Sequence, residues 1–151
     1  MRPAQNRTIL HLNVVNFYAA VVQALSPRLR SYPLVIVTSG AVRRMVIGAS
    51  ATAYEAGVRK GMLLDTARRM CPDVRVHTPQ PRLYDRAYTV MCDEASRLSP
   101  RVEPAGPGHL FVDLSGTGRL WGNPLDSGHR LRRTIREKLR FDAAVGVASN
   151  K

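Results

Sequence analysis

The chain reads as an α+β fold built on a split βαβ with an inserted subdomain. Three observations predict it. An apolar strand-like run, "ILHLNVV", leads straight into an amphipathic stretch. The last third gives two strand patterns, a long basic helix pattern and a final strand. Between them lies a β-branched and glycine-punctuated segment with its own short elements. With that segment set aside, the order is β-α followed by α-β-β-α-β, which is close to a split βαβ.

In chain order, Thr8 to Val15 is the first strand. Asn16 stands at the N-cap of a helix over Phe17–Ala24, which Ser26-Pro27 ends. "YPLVIVTSG" and "RRMVIGASA" form a hairpin-like pair around Gly40. "YEAGVRKGM" turns through Gly57 and Gly61, and Leu64–Met70 is a short helix closed before Cys71-Pro72. Leu83, Ala87, Val90, Met91, Ala95 and Leu98 recur at helical spacing, so 81–98 is a long helix ended by Ser99-Pro100. "RVEPAG" and "HLFVDLSGTG" are strands, "NPLDSGHRLRRTIREKLR" is a helix with Leu131, Ile135 and Leu139 inward, and "FDAAVGVASNK" is the last strand.

At 151 residues and 44% apolar content the chain is about one domain with a single core, which excludes a disordered polymer. Lysine and arginine outnumber acids 23 to 11, a formal charge of +12, so a polyanionic partner is favoured and nucleic acid is the first choice. Cys71 and Cys92 form no C-x-x-C and have no nearby histidine pair, so neither a disulfide framework nor a zinc site is suggested. A reducing cytoplasm fits. No apolar run approaches the length of a membrane helix, and the N-terminus lacks a signal-peptide pattern.

Seven stretches, "ILHLNVVNFYAAVVQ", "YPLVIVTSG", "ATAYEAGVRKGM", "ARRMCPDVRVHTPQPRLYDRAYTVM", "LSPRVEP", "LFVDLSGT" and "VGVASNK", follow one another in an order that resembles Y-family translesion DNA polymerases of the DinB/UmuC (ImpB/MucB/SamB) type. The resemblance covers essentially the whole chain. It implies a ferredoxin-like polymerase palm at 1–24 and 80–151 and small fingers at 25–79. The thumb and little finger, which grip the duplex in such polymerases, are expected to be absent.

Such polymerases place carboxylates around two magnesium ions that bridge the triphosphate and the primer hydroxyl. Magnesium favours hard oxygen ligands in near-octahedral geometry. The family's first strand reads D-x-D-x-F-[FY], and those positions are Asn13, Val14, Val15, Asn16, Phe17 and Tyr18 here. Its second motif is S-I-D-E-A-[YF]-x-D, and the register of "LFVDLSGT" puts Gly106, Pro107, Gly108 and His109 where S-I-D-E stands. Asn13 offers one neutral carbonyl, Val15 and Gly108 offer nothing, and His109 prefers softer metals than magnesium. Two-metal nucleotidyl transfer is therefore expected to be lost, with no catalytic residue, no metal and no cofactor. Glu103 and Asp113 are not expected to substitute, because strand alternation is read as placing both out of register with Gly108 and His109.

The fingers motif Y-E-A-R-x-[FY]-G-V-[RK] is shortened to "YEAGVR", and the arginine that contacts the triphosphate in the family is among the deleted residues. The resemblance leaves Phe17, Tyr18, Tyr54, Arg59 and Lys151 as vestigial nucleotide-binding positions, with Phe17 and Tyr18 more readily read as core packing, Tyr54 as a half-buried fingers contact, and Lys151 expected to fray. Arg43 and Arg44 on the hairpin, Arg68 and Arg69 on the short helix, and Arg132, Arg133 and Arg136 on the basic helix are DNA-binding candidates, although a solvated helix face also produces such runs.

The expected function is a non-catalytic Y-family homologue acting as a DNA-repair, mutagenesis or SOS-response accessory. Its expected partners are DNA, bound weakly and without sequence preference, and other repair or replication proteins, with no membrane. Two alternatives stand beside it: a translesion DNA polymerase that needs a second chain, and a basic nucleic-acid-binding module.

Overall fold

The computed structural model describes residues 7–40 and 42–151. The chain divides into two compact units, one formed by the stretch ending at Val15 together with Asp85–Lys151, the other by Asn16–Tyr84. The division groups the first helix and the first turn of the long helix with the middle segment.

In the first unit, β1 (Ile9–Val14), β5 (Val102–Pro104), β6 (His109–Asp113) and β7 (Ala143–Ala148) form one sheet in the order β5-β6-β1-β7, every pairing antiparallel. With the inserted strands removed, this is the 2-3-1-4 order of a split βαβ. Alternation decides the faces: Leu10, Leu12 and Val14 of β1 and Leu110 and Val112 of β6 are buried, while His11, Asn13, His109, Phe111 and Asp113 are only partly covered. A helix, α6 (Pro124–Leu139), closes the apolar face. Asn123 caps it, its side-chain oxygen accepting from Leu125 N–H at 2.9 Å, and Pro124 occupies the first turn, where its missing N–H costs nothing. Leu131 and Ile135 are buried as the 3.6-residue stripe requires, and Leu139 is half-buried. Gly128 lets the helix come close to the sheet, since a Cβ there would lie 2.9 Å from Leu10 Cδ1. The long helix α4 (Pro81–Ser96) buries Ala87, Met91 and Ala95 and is tied to α6 by an ion pair between Lys138 and the buried Glu94. A short helix, α5 (Gly118–Trp121), is anchored by Trp121 Nε1 donating to Leu98 O at 2.8 Å.

The second unit is a three-stranded sheet in the order β3-β2-β4, with β2 (Leu34–Val37) antiparallel to β3 (Val46–Ala49) and parallel to β4 (Arg75–His77). All four β2 residues are buried. Leu34 and Ile36 pack with Ala19 and Val22 of α1 (Phe17–Leu25). Val35 and Val37 pack with Ala53 of α2 (Ala51–Glu55) and with Leu64 and Ala67 of α3 (Leu64–Met70). The buried Ser50 hydroxyl joins sheet and helix by accepting from Leu34 N–H at 2.9 Å and from Ala53 N–H at 3.3 Å, which makes it the cap of α2.

The strands other than β4, and helices α1, α3, α4 and α6, follow the sequence expectation. Helix α2, strand β4, helix α5 and a 3-10 turn over Pro27–Ser31 are additions. Asn16 stands at the N-cap of α1 as expected but makes no side-chain cap bond, because its backbone is left-handed, with φ 56°.

Candidate functional site

On the first unit, the four positions that carry carboxylates in the resembling polymerases lie at one end of the sheet, with Asn13 and His109 on its open face. Asn13 of β1 and His109 of β6 are direct cross-strand partners. Val15, just past β1, is 57% exposed. Gly108 is buried with φ +78°, and its carbonyl accepts from Val14 N–H at 2.8 Å, closing the β5–β6 turn onto β1. A left-handed φ favours glycine, which is the residue that stands here. The turn is held further by Tyr88 of α4, whose hydroxyl donates to His109 O and accepts from Ala105 N–H at 3.3 Å. Burial pushes the Tyr88 phenol up from its ordinary value.

His11, two residues before Asn13 on the same face, joins the group. Its ring stacks on His109 with centroids 5.6 Å apart and on Phe111 at 4.7 Å. His11 Nε2 and His109 Nδ1 are 3.5 Å apart. Burial, and then the neighbouring His109, hold the His11 imidazole below its usual range. The sequence reading missed His11; its signal was the period of two that places residues 11, 13 and 109 on one face.

Glu103 and Asp113 require a correction. Asp113 shares the open face with His109, because the two differ by four positions on one strand, and Glu103 pairs with Phe111 on the same side. Distance, not facing, keeps Asp113 apart: four residues of strand span about 13 Å. Asp113 is engaged there, accepting from Ser115 N–H at 2.9 Å and paired with Arg101 at 3.6 Å, while Glu103 is paired with Lys151. Lys151, expected to fray, is thus held, with its ammonium 5.8 Å from the Phe111 ring. Arg7, Arg101 and Lys151 line a cavity of about 200 Å³ together with Phe111, Glu103 and Asp113.

On the second unit the remaining positions form separate groups. Phe17, Tyr18 and Tyr84 cluster with centroids 4.7 to 6.4 Å apart, Phe17 and Tyr84 being buried. Tyr18 lies against Gly48 of β3, where a Cβ would be 3.1 Å from its own. The packing role allowed for Phe17 and Tyr18 is met by these contacts. Arg59 stacks over Tyr54 at 3.6 Å and donates to the carbonyls of Tyr54 at 2.6 Å and Val58 at 3.0 Å. Arg43 and Arg44 are exposed beside β3, and Arg68 and Arg69 are exposed in the last turn of α3, with Arg69 donating to Thr66. On the first unit, Arg132, Arg133 and Arg136 are exposed along α6, where Arg133 pairs with Glu137 and Arg136 with Asp142.

A model of the impB/mucB/samB family matches residues 12–151. The chain belongs to this family. It is 33% identical over 144 residues to the DNA polymerase IV of Pelotomaculum thermopropionicum, which covers 95% of this chain and 36% of that protein. It is 29% identical over 145 residues to the DNA polymerase IV of Dehalococcoides mccartyi, covering 96% and 37%. The chain therefore spans little more than a third of the length of these curated relatives. Among solved structures, DinB from Sulfolobus solfataricus superposes with a TM-score of 0.87 at 22% identity, over 95% of this chain and 42% of that one. An insertion ternary complex of Dbh DNA polymerase gives 0.86 at 23% identity, over 95% and 43%. The fold is that of the palm and fingers of Y-family polymerases.

Family membership corrects the expectation that no cofactor belongs here. Its relatives are DNA polymerases, whose chemistry uses divalent metal, so a divalent cation is the cofactor that the family implies. The donors in this chain do not fit a magnesium pair. One amide oxygen and one imidazole stand at the four family positions, where magnesium would need several anionic oxygens. Among the described residues, no three His, Cys, Asp or Glu side chains are grouped to hold an ion, and no helix is long and apolar enough to cross a membrane.

Proposed function

We propose that this chain is a non-catalytic member of the Y-family, a cytoplasmic DNA-repair or mutagenesis accessory that keeps the palm and fingers as a binding surface. The observation that carries this reading is the replacement of the carboxylate positions by Asn13, Val15, Gly108 and His109, together with the φ of +78° at Gly108. Nucleotidyl transfer by two metals needs charge of the opposite sign held in place before the substrate arrives, and neutral donors do not supply it. Support also comes from the nucleotide side. Arg59 Nη1 already donates to the Tyr54 and Val58 carbonyls, and Phe17 and Tyr18 are packed with Tyr84. In this reading DNA is held weakly by Arg43, Arg44, Arg68, Arg69, Arg132, Arg133 and Arg136 through phosphate contacts, and other repair or replication proteins are further partners.

A translesion polymerase that needs a second chain is the alternative, suggested by relatives named DNA polymerase IV. Primer extension with magnesium or manganese separates the two. The accessory gives no incorporation above background. Extension that disappears on His109→Ala or Asn13→Ala substitution would establish the alternative.

A further inference from the structure

The Glu-to-His exchange at position 109 has set an imidazole beside a second one. We propose that His11 and His109, with the Asn13 amide oxygen, form a site for one first-row transition cation of the nickel, copper or zinc type, in place of the magnesium pair of the family.

The geometry is already close to a chelate. His11 Nε2 and His109 Nδ1 are 3.5 Å apart. Two nitrogens bound tetrahedrally at 2.0–2.1 Å lie about 3.3–3.4 Å from each other, so the two ring nitrogens already stand at about the separation that one cation requires. Asn13 pairs directly with His109 and lies two residues from His11 on the same face, which puts its carbonyl within the same patch.

The surroundings fix the donors. Phe111 stacks on one face of His11, and Tyr88 and Ala105 both bond the His109 carbonyl, which restrains the strand that carries the second ligand. Imidazole suits nickel, copper and zinc, whereas magnesium takes hard oxygens, so the donor set discriminates by chemistry. The positive groups of this face are engaged with acids, Arg101 with Asp113 and Lys151 with Glu103, the Lys151 ammonium standing 5.8 Å from the Phe111 ring; Arg7 lines the same cavity. Two imidazoles and an amide leave coordination positions open. The site is therefore an exchangeable one that can accept water, a phosphate oxygen or a partner side chain, and not a structural zinc centre.

The site does not depend on whether the chain extends primers. The test is calorimetric titration of the untagged full chain, freed of metal by chelator, with nickel, copper, zinc and magnesium chlorides in turn. One nickel or copper ion per chain is expected, with magnesium binding at least tenfold weaker. His11→Gln and His109→Gln should each weaken nickel binding at least tenfold, Asn13→Ala several-fold, and His77→Gln and His129→Gln not at all. Circular dichroism checks that each variant folds. In the wild type, zinc should shift the ring nitrogens of His11 and His109 alone in long-range proton–nitrogen spectra, a readout that needs no variant. Nickel binding that survives the His11→Gln/His109→Gln double substitution, magnesium bound as tightly as nickel, or no binding of any transition cation would overturn the proposal.

Discussion

Asn13 and His109 face each other as a directly opposed pair across the β1–β6 ladder. Opposed side chains on one sheet face are close enough for like charges to repel. Restoring the acids with Asn13→Asp and His109→Glu should therefore lower the melting temperature of the chelator-treated protein by about 0.5–4 °C, from a pair repulsion of roughly 0.2–1 kcal/mol. Differential scanning calorimetry checks it, and an unchanged or higher melting temperature would mean that the two side chains do not share a cleft.

Gly108 sets a different limit. At φ +78° a side chain costs about 1–2 kcal/mol whatever its charge. Gly108→Ala should thus lose at least as much stability as Gly108→Asp in urea unfolding, since aspartate tolerates positive φ better. A harmless Gly108→Ala would show that the turn is not held in this conformation.

Tyr88 binds both sides of that turn. Tyr88→Phe removes the donor to His109 O and the acceptor for Ala105 N–H, at a cost of about 0.5–1.5 kcal/mol per hydrogen bond. Faster amide exchange at Ala105, in the turn between β5 and β6, with β6 itself unchanged, is the expected signature. Equal exchange in the two proteins would remove Tyr88 from any role in placing His109.

Much of this architecture was legible because the apolar periods are strong: Leu10, Leu12 and Val14 alternate, and Leu131 and Ile135 recur at helical spacing. Strand β4 was not legible, since "RVH" is three residues long with one apolar side chain, and it exists because β2 offers an edge to pair with. Helix α2 hid for a similar reason. Five residues make a poor helix alone, and its start depends on Ser50, whose hydroxyl is buried by the neighbouring strand. At the site, motif comparison located Asn13, Val15, Gly108 and His109. It could not reveal the contact between His11 and His109, which depends on cross-strand register, nor the pairing of Asp113 with Arg101 across two strands.

Asp113 also makes a prediction in acid. Hydrogen bonds from Ser115, and then the Arg101 charge, hold its carboxyl below the ordinary 3.8. Arg7, Lys151 and Glu103 line the same cavity. A depressed folded value means that the unfolded chain takes up the proton first, so the stabilisation is complete above pH 3.8 and declines as the pH falls below it toward the folded value. Urea midpoints of the wild type and of Asp113→Asn should differ at pH 6 and converge as the pH falls below about 3.8. A difference that stays constant across that window would mean that Asp113 acts through packing and not through charge.

The last prediction concerns DNA. A formal charge of +12 attracts phosphates, and Arg132, Arg133 and Arg136 present exposed guanidinium groups along α6. Two of the three are already paired, Arg133 with Glu137 and Arg136 with Asp142, at 3.9 and 3.7 Å. Exposed pairs of this kind are weak, so phosphates can displace the acids. Nothing in α6 reads base edges in a groove by a defined pattern, so binding should be insensitive to sequence, with a dissociation constant on the order of 10⁻⁴–10⁻⁶ M at physiological salt. Charge reversal at Arg132, Arg133 and Arg136 should weaken binding and reduce its salt dependence, because fewer counterions are released. Tyr54→Ala should change little, since Arg59 keeps its bonds to the Tyr54 and Val58 backbone carbonyls without the ring. Fluorescence anisotropy with labelled single- and double-stranded oligonucleotides over a salt series measures all of this. Nanomolar, salt-insensitive or sequence-selective binding would contradict the phosphate reading. Unaltered binding after the triple reversal would move the interface to Arg43, Arg44, Arg68 and Arg69, where the same substitution series decides it.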